Sequence, residues 1–219
     1  MICGKDSERC GMDFDYELHI FKEPEFQSIV NKAITFFSKT PVHHLPPPNQ
    51  FLGPGVYGLY YIGDYEPYRE ISGSNLIDYG RPIYIGKAVP PGSRTARNLH
   101  SASSDLYGRL KEHTESIQSA INLKVDDFMC RFMVLIDIEQ DLIAPVEAEL
   151  IRRSKPLWNT SVSGFGIHHP GSGRYGQAPS EWDVLHPGRT WVTNLTGKSR
   201  TQEEIIEKVK KALIQSFLP

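Results

Sequence analysis

Tyr57, Tyr84, Lys87, Arg109, His113, Glu147 and Asn159 are polar side chains whose types and order suit work on a phosphate ester. Hydrolysing such an ester needs a cation on the phosphate, a base for the attacking water and help for the leaving oxygen. Glu147 offers a hard oxygen ligand of the kind Mg²⁺ accepts, an ion that keeps most of its own waters. Arg109 offers a fork that matches phosphate oxygens. Tyr57 is a candidate general base, but a free tyrosine has a pKa of about 10 and needs a cation nearby to act at neutral pH. His113, Lys87 or the metal could supply that charge. Tyr84 would orient the water or the phosphate, and Asn159 would brace the site by hydrogen bonds. Each residue alone also has an ordinary reading. The tyrosines could be core aromatics on a sheet, Arg109 and His113 a solvated helix face, and Glu147 a favourable charge near a helix N-terminus.

The elements that must carry these residues can be read from periodicity. Tyr57 lies in a predicted strand over 55–62 and Tyr84 in another over 82–87, both apolar or aromatic and bounded by Gly and Pro. Residues 63–81, with Gly63, Pro67, Gly73 and Gly80, read as a long loop or embellished hairpin. A helix starting near Ser104-Asp105 buries Leu106, Leu110, Ile117 and Ile121, and puts Arg109 and His113 four apart on one face. A third strand follows over 128–137. Pro145 then opens a helix, with Glu147 in its first turn, that Pro156 closes before Asn159.

Upstream, a helix after Pro24 carries an apolar stripe of Phe26, Ile29, Val30, Ala33, Ile34 and Phe37, ended by Pro41, and 41–50 is a Pro-rich connector. His43-His44 has no ligand-type partner nearby in sequence. Downstream, 160–190 is glycine- and proline-rich, with Trp182 and Trp191 indicating partial packing. A capping-box pair, Thr201 and Glu204, opens a last helix.

Composition excludes several classes. The formal net charge of −2 gives no global basic signal for nucleic acid, although basic residues on one face remain compatible with site-specific binding. Cys3, Cys10 and Cys130 have neither the count nor the spacing of a disulfide framework or a zinc knuckle, and Cys130 sits in an apolar strand. No apolar run is long enough for a membrane span, and no signal-peptide h-region is present, so a cytoplasmic protein is expected. Gly53-Pro54-Gly55-Val56-Tyr57-Gly58 and Gly171-Ser172-Gly173-Arg174-Tyr175-Gly176 match G-x-G-x-x-G literally. Neither stands between a strand and a helix, so both are read as turns.

Taken in order, the motifs resemble those of the GIY-YIG nuclease family. The matching text is Gly55-Val56-Tyr57, then Tyr84-Ile85-Gly86-Lys87-Ala88, then Arg109 within Leu106-Tyr107-Gly108-Arg109-Leu110 with His113 one turn on. Glu147-Ala148-Glu149-Leu150-Ile151 follows, leading to Lys155-Pro156 and Asn159. The likeness covers about 51–160. It implies an α+β fold: a small catalytic module with a mixed β-sheet flanked by helices. The organisation expected is an N-terminal helical arm over 1–50, the module over 51–160 with an insert at 63–81, and a loop-plus-helix extension over 161–219 packed on the module. It implies Tyr57, Tyr84, Arg109, His113, Glu147, Asn159 and Lys87 as the site, with Glu147 as metal ligand. Two departures stand out. The gap between the first two motifs is long, and Tyr61-Ile62-Gly63 competes for the second but leaves no room for a hairpin. Glu147 is chosen over Glu149 by its distance to Asn159.

Within the family, the layout resembles the type II restriction endonucleases, as does the Trp182-Asp183…His186-Pro187-Gly188-Arg189…Trp191 stretch. That resemblance implies a site-specific endonuclease that cuts both strands of double-stranded DNA at a GC-rich palindrome. It implies one divalent metal, Mg²⁺ or Mn²⁺, per site, and a homodimer on DNA. A cognate methyltransferase of the same restriction-modification system is expected, but not as a stable partner, and no membrane association. Base readout is expected from 63–81, 89–104 and 160–190, with Arg94, Arg97, Arg174 and Arg189 as candidates for guanine contacts. The rivals are a structure-specific or repair nickase, and a DNA-binding module with a dead site.

Overall fold

The computed structural model of the chain describes residues 14–89, 105–167 and 169–216. Its centre is a strand of two buried faces, β2 (Gly55–Tyr61), in which every residue is buried. Side chains alternate across a strand, so a run that is apolar at every position needs cover on both sides. It has that cover. Tyr57, Leu59 and Tyr61 belong to one core, with Leu106, Leu110, Trp158, Trp182 and Val209. Val56 belongs to a second core, with Val30, Phe37, Ile85, Met133 and Val146.

β2 pairs with β3 (Tyr84–Ala88) on one side and β4 (Phe128–Val134) on the other. A short β1 (Val42–His44) pairs with β4, giving the order β1-β4-β2-β3. Every pairing is antiparallel, which corrects the expected mixed sheet within an α+β fold that is otherwise as read. The physical reason is the position of β2: β3 and β4 run the same way, but β2 lies between them, so no parallel ladder forms. β1 also corrects the plain connector expected over 41–50. The strand expected to reach 137 ends at Val134.

On one face of the sheet lie α1 (Pro24–Lys39) and α4 (Ile143–Ser154). In α1, Pro24 stands in the first turn and Glu23 caps it by accepting the Glu25 N–H at 3.0 Å. Only part of its stripe is covered: Val30 and Phe37 are buried, while Phe26, Ile29 and the neighbouring Phe36 are exposed. α4 begins at Ile143, so Pro145 is its third residue and Glu147 stands beyond the first turn, not in it. Pro145 costs no bond there, because the first N–H groups of a helix have no intrahelical acceptor.

The other face carries α3 (Asp105–Ser119) and the short helices α5 (Leu157–Thr160) and α6 (Glu181–Leu185), with the C-terminal α7 (Gln202–Ser216) behind them. Ile121, expected in the buried stripe of the α3 helix, lies beyond its end and is exposed. The capping box of α7 forms reciprocally: Thr201 N–H donates to Glu204 Oε2 at 2.9 Å, and Glu204 N–H to Thr201 Oγ1 at 3.3 Å. The insert is not a loop: it holds a 3₁₀ turn, Glu66–Tyr68, and the helix α2 (Arg69–Asp78). Its packing centre is Asn75, wholly buried. The Asn75 amide donates to the Tyr61 and Arg81 carbonyls at 3.0 and 2.9 Å and accepts the Arg81 N–H at 3.0 Å.

Candidate active site

Tyr57 and Gly86 are directly opposite each other on β2 and β3. A Cβ at position 86 would lie 2.4 Å from the Tyr57 hydroxyl oxygen, so only glycine lets the ring lie across β3. The hydroxyl then reaches α3, where His113 Nε2 is 2.6 Å away. Both residues are almost fully buried. Tyr84, two residues before Gly86 and therefore on the same face, adds its ring 6.2 Å from Tyr57 and 5.3 Å from His113. Arg109, one turn before His113 on α3, interacts with both tyrosines and pairs with Glu112.

Lys87 leaves β3 on the opposite face. Its ammonium meets the Glu147 carboxylate of α4 at 2.6 Å, the acid being mostly covered. Glu147 also interacts electrostatically with Tyr57 and Tyr84, although it belongs to the other layer. Asn159 holds the strand between them. Its Oδ1 accepts the Ile85 N–H and its Nδ2 donates to the Ile85 carbonyl, each at 2.8 Å, as a neighbouring strand would. The seven candidate residues are thus gathered along β3.

Burial, above all, and then the neighbouring Tyr84 push the Tyr57 hydroxyl well above the usual tyrosine range; Arg109 pulls the other way. Burial likewise raises Tyr84, again opposed by Arg109. Burial would lower Arg109, but its interactions with Tyr57 and Glu112 outweigh that and raise it. Tyr57 is therefore a neutral hydroxyl in this environment, hydrogen-bonded to His113 Nε2.

A family model described as the Eco29kI GIY-YIG domain matches residues 49–213. The chain belongs to this family. Among curated proteins no match to the chain is found. Membership in this GIY-YIG family of type II restriction endonucleases makes the chain a site-specific nuclease whose substrate is DNA. Among the described residues, no helix is long and apolar enough to cross a membrane.

GIY-YIG nucleases are generally dependent on a divalent metal. Among the described residues no group of three or more His, Cys, Asp or Glu side chains converges. A mostly hydrated hard cation asks for as little as one carboxylate from the protein. The Glu147 carboxylate suits that by type, and the Lys87 ammonium sits against it at 2.6 Å. Glu149 does not compete. It is buried on another side of α4, where hydrogen bonds from Arg152 and Arg153, at 2.7 and 2.6 Å, hold its carboxyl below the usual range.

Two clefts adjoin the site, and Arg109 and Glu112 line both. One, of about 400 Å³, also takes Lys87, Asp105 and Gly108. The other, of about 450 Å³, runs along α3 past His113 to Gly166, His169 and Trp191. Of the arginines expected at bases, Arg94 and Arg97 lie outside the described residues. Arg174 is exposed in a 3₁₀ turn, Ser172–Arg174. Arg189 corrects the expectation: it is buried. Its guanidinium bonds Asp183 at 3.3 Å and the Gly164 carbonyl at 3.2 Å, and lies 4.2 Å over the Trp182 ring.

Sequence reasoning passed over Phe165 and Gly166. Phe165 stacks on His113 with ring centres 4.6 Å apart, and meets Tyr84 edge-on at 4.9 Å. The available signal was an aromatic set between two glycines, and both glycines have positive φ, at 109° and 75°.

Proposed function

We propose that this chain is a type II restriction endonuclease that hydrolyses both strands of double-stranded DNA at a short palindrome, GC-rich by its resemblance to that branch. The observation that carries the reading is the Tyr57–His113 hydrogen bond beside Arg109, with Glu147 reaching the same edge of the sheet from the other face. Arg109 takes the scissile phosphate with its fork. Tyr57 Oη accepts a proton from the attacking water while its own passes to His113 Nε2, so a buried, neutral tyrosine serves as base without first ionising. Tyr84 orients water and phosphate. Asn159 holds the backbone of β3 in register. Glu147, with Lys87 as its neighbour, would hold one divalent ion, Mg²⁺ or Mn²⁺. When bound, that ion supplies charge for the phosphoryl and leaving oxygens.

One such site cuts one strand, so two strands at a palindrome are met by a homodimer sharing the two-fold axis of the DNA. The exposed Phe26, Ile29 and Phe36 of α1 are apolar surface available for that contact. Base contacts come from outside the catalytic cluster, which faces a phosphate and carries no sequence information. Arg174 and the arginines of 89–104 are the candidates. Alanine at Arg174 is expected to weaken binding to the cognate duplex more than to random DNA. A methyltransferase protecting the same sequence completes the system.

Plasmid cleavage with Mg²⁺, then with EDTA, tests the reading. Discrete fragments that EDTA abolishes support it. Nicked circles would make the chain a nickase, and binding without cleavage would make it a recognition module.

A further inference from the structure

We infer that Phe165 and Gly166, in the segment that follows the family motifs, are positioning residues of the active site: they set the plane of the His113 ring. This rests on the proton path from Tyr57 to His113 proposed above. The lone pair of an imidazole nitrogen lies in the plane of its ring. The 2.6 Å contact between Tyr57 Oη and His113 Nε2 therefore depends on the tilt of that plane as much as on distance.

The stack fixes the tilt. Phe165 lies nearly parallel to His113, at 21° with centres 4.6 Å apart. Tyr84 closes on the imidazole edge-on, at 68°. The Phe165 ring has no freedom of its own. It is buried against Trp158 at 4.4 Å and Trp182 at 5.4 Å, and Arg189 lies over the far indole. The backbone leading into it is tied as well: Trp182 N–H donates to the Ser163 carbonyl at 2.9 Å and Arg189 to the Gly164 carbonyl at 3.2 Å.

Gly166 completes the device. At φ 75° it sits where side chains rarely go, and a Cβ there would lie 3.1 Å from His113 Cε1 and 3.2 Å from the Tyr84 hydroxyl. Any side chain at this residue would thus crowd both rings. The extension beyond 160 is on this account a wall of the catalytic centre as well as a flank of the cleft.

The test uses the full-length protein with Phe165→Leu, which keeps apolar bulk and removes the ring. Single-turnover cleavage of a cognate duplex is expected to fall by about 10- to 100-fold, the scale of a small misplacement at a reacting group, with binding of that duplex within about twofold of wild type. With [¹³Cε1]histidine, the His113 resonance, assigned by its loss in His113→Ala, is expected to move as the ring current of Phe165 disappears. Gly166→Ala is expected to lower the same rate without lowering binding, and serves also if Phe165→Leu fails to fold. A folded Phe165→Leu protein that cuts at the wild-type rate, or an unmoved His113 resonance, overturns the inference. Equal losses in binding and cleavage overturn it too, because they mark a general structural role. Wild-type cleavage by His113→Ala would instead overturn the proton path, and is read separately.

Discussion

Replacing Tyr57 by phenylalanine removes one oxygen from the best-enclosed part of the site, and its two consequences can be separated. The first is stability. The hydroxyl is wholly buried and bonded to His113 Nε2 at 2.6 Å, and the imidazole is itself buried. The net worth of such a bond is about 1 kcal/mol, and leaving the imidazole nitrogen unsatisfied raises the loss to roughly 1–3 kcal/mol. Gly86 beneath the ring offers no atom to fill the gap. For a chain of this size that corresponds to a fall in Tm of about 2–12 °C. The second is rate. If Tyr57 passes the proton of the attacking water to His113, its loss costs about 10²–10⁴-fold in cleavage. Arg109 and Glu147 remain, so DNA binding should stay close to wild type. Differential scanning calorimetry, single-turnover cleavage at a temperature well below both transitions, and binding in Ca²⁺ supply the three numbers. A folded Tyr57→Phe protein that cleaves within about threefold of wild type would refute the base assignment.

Glu147→Ala is expected to abolish Mg²⁺-dependent cleavage in a plasmid assay while a duplex still shifts on a gel, whereas Glu149→Ala, which breaks only the pairs with Arg152 and Arg153, should still cut. Gly86→Ala should either fail to fold or displace the Tyr57 ring, read as lost cleavage and a changed near-ultraviolet circular dichroism spectrum. Burial lowers His186 from 6.5 to about 3, so the unfolded chain binds the extra proton and stability present above pH 6.5 is lost as pH falls from there toward the folded value. The slope from this one group approaches 1.4 kcal/mol per pH unit, an upper figure. Buried Asp183, shifted upward, acts in the opposite sense around the carboxylate range. Urea melts between pH 7 and 5 should show that slope shrink in His186→Gln, and an unchanged slope would move the proton uptake elsewhere.

The site was legible because each of its motifs is short and tied to one element. Tyr57 and Tyr84 lie in apolar runs between Gly and Pro, and the four-residue step from Arg109 to His113 needs only a helix. α2 was not legible for the opposite reason. Gly73 lies inside it, at a cost of about 1 kcal/mol relative to alanine. What anchors it is the amide of Asn75 on two carbonyls and an N–H, which leaves no apolar stripe to see. β1 is three residues of a proline-rich stretch and exists because β4 offers it an edge. The expected mixed sheet comes from the family resemblance alone, since strand direction depends on which strand lies between β3 and β4 and no local pattern carries that. Arg189 looked like a surface arginine in a loop. Its burial depends on Asp183 and Trp182 of α6 turning toward it.

A second buried tyrosine–histidine pair shows why such a motif alone does not make an active site. Tyr68 Oη lies 2.6 Å from His186 Nε2, the same distance as between Tyr57 and His113. Here every proton can be placed. Trp158 Nε1–H can only donate, so Tyr68 oxygen accepts it at 3.0 Å, and because Asn122 Oδ1 takes the Nδ1–H of a neutral His186, Tyr68 O–H donates to His186 Nε2. His186 Nδ1–H donates to Asn122 Oδ1 at 3.0 Å, and the Asn122 amide donates to the Leu185 carbonyl at 2.8 Å. The chain ends on backbone, away from the clefts that Arg109 lines, so a proton entering it has no substrate to come from. It joins the turn before α2, the end of α3 and the end of α6 as a fixed brace. What distinguishes Tyr57 and His113 is the edge of the sheet. Tyr84 and Lys87 are three apart on β3 and point to opposite faces, so the strand presents Lys87 and its partner Glu147 on one side and the tyrosines with His113 on the other. On the proposed reading, it is around the outer strand β3 that the acid of one face and the tyrosine–histidine pair of the other meet on a single phosphate.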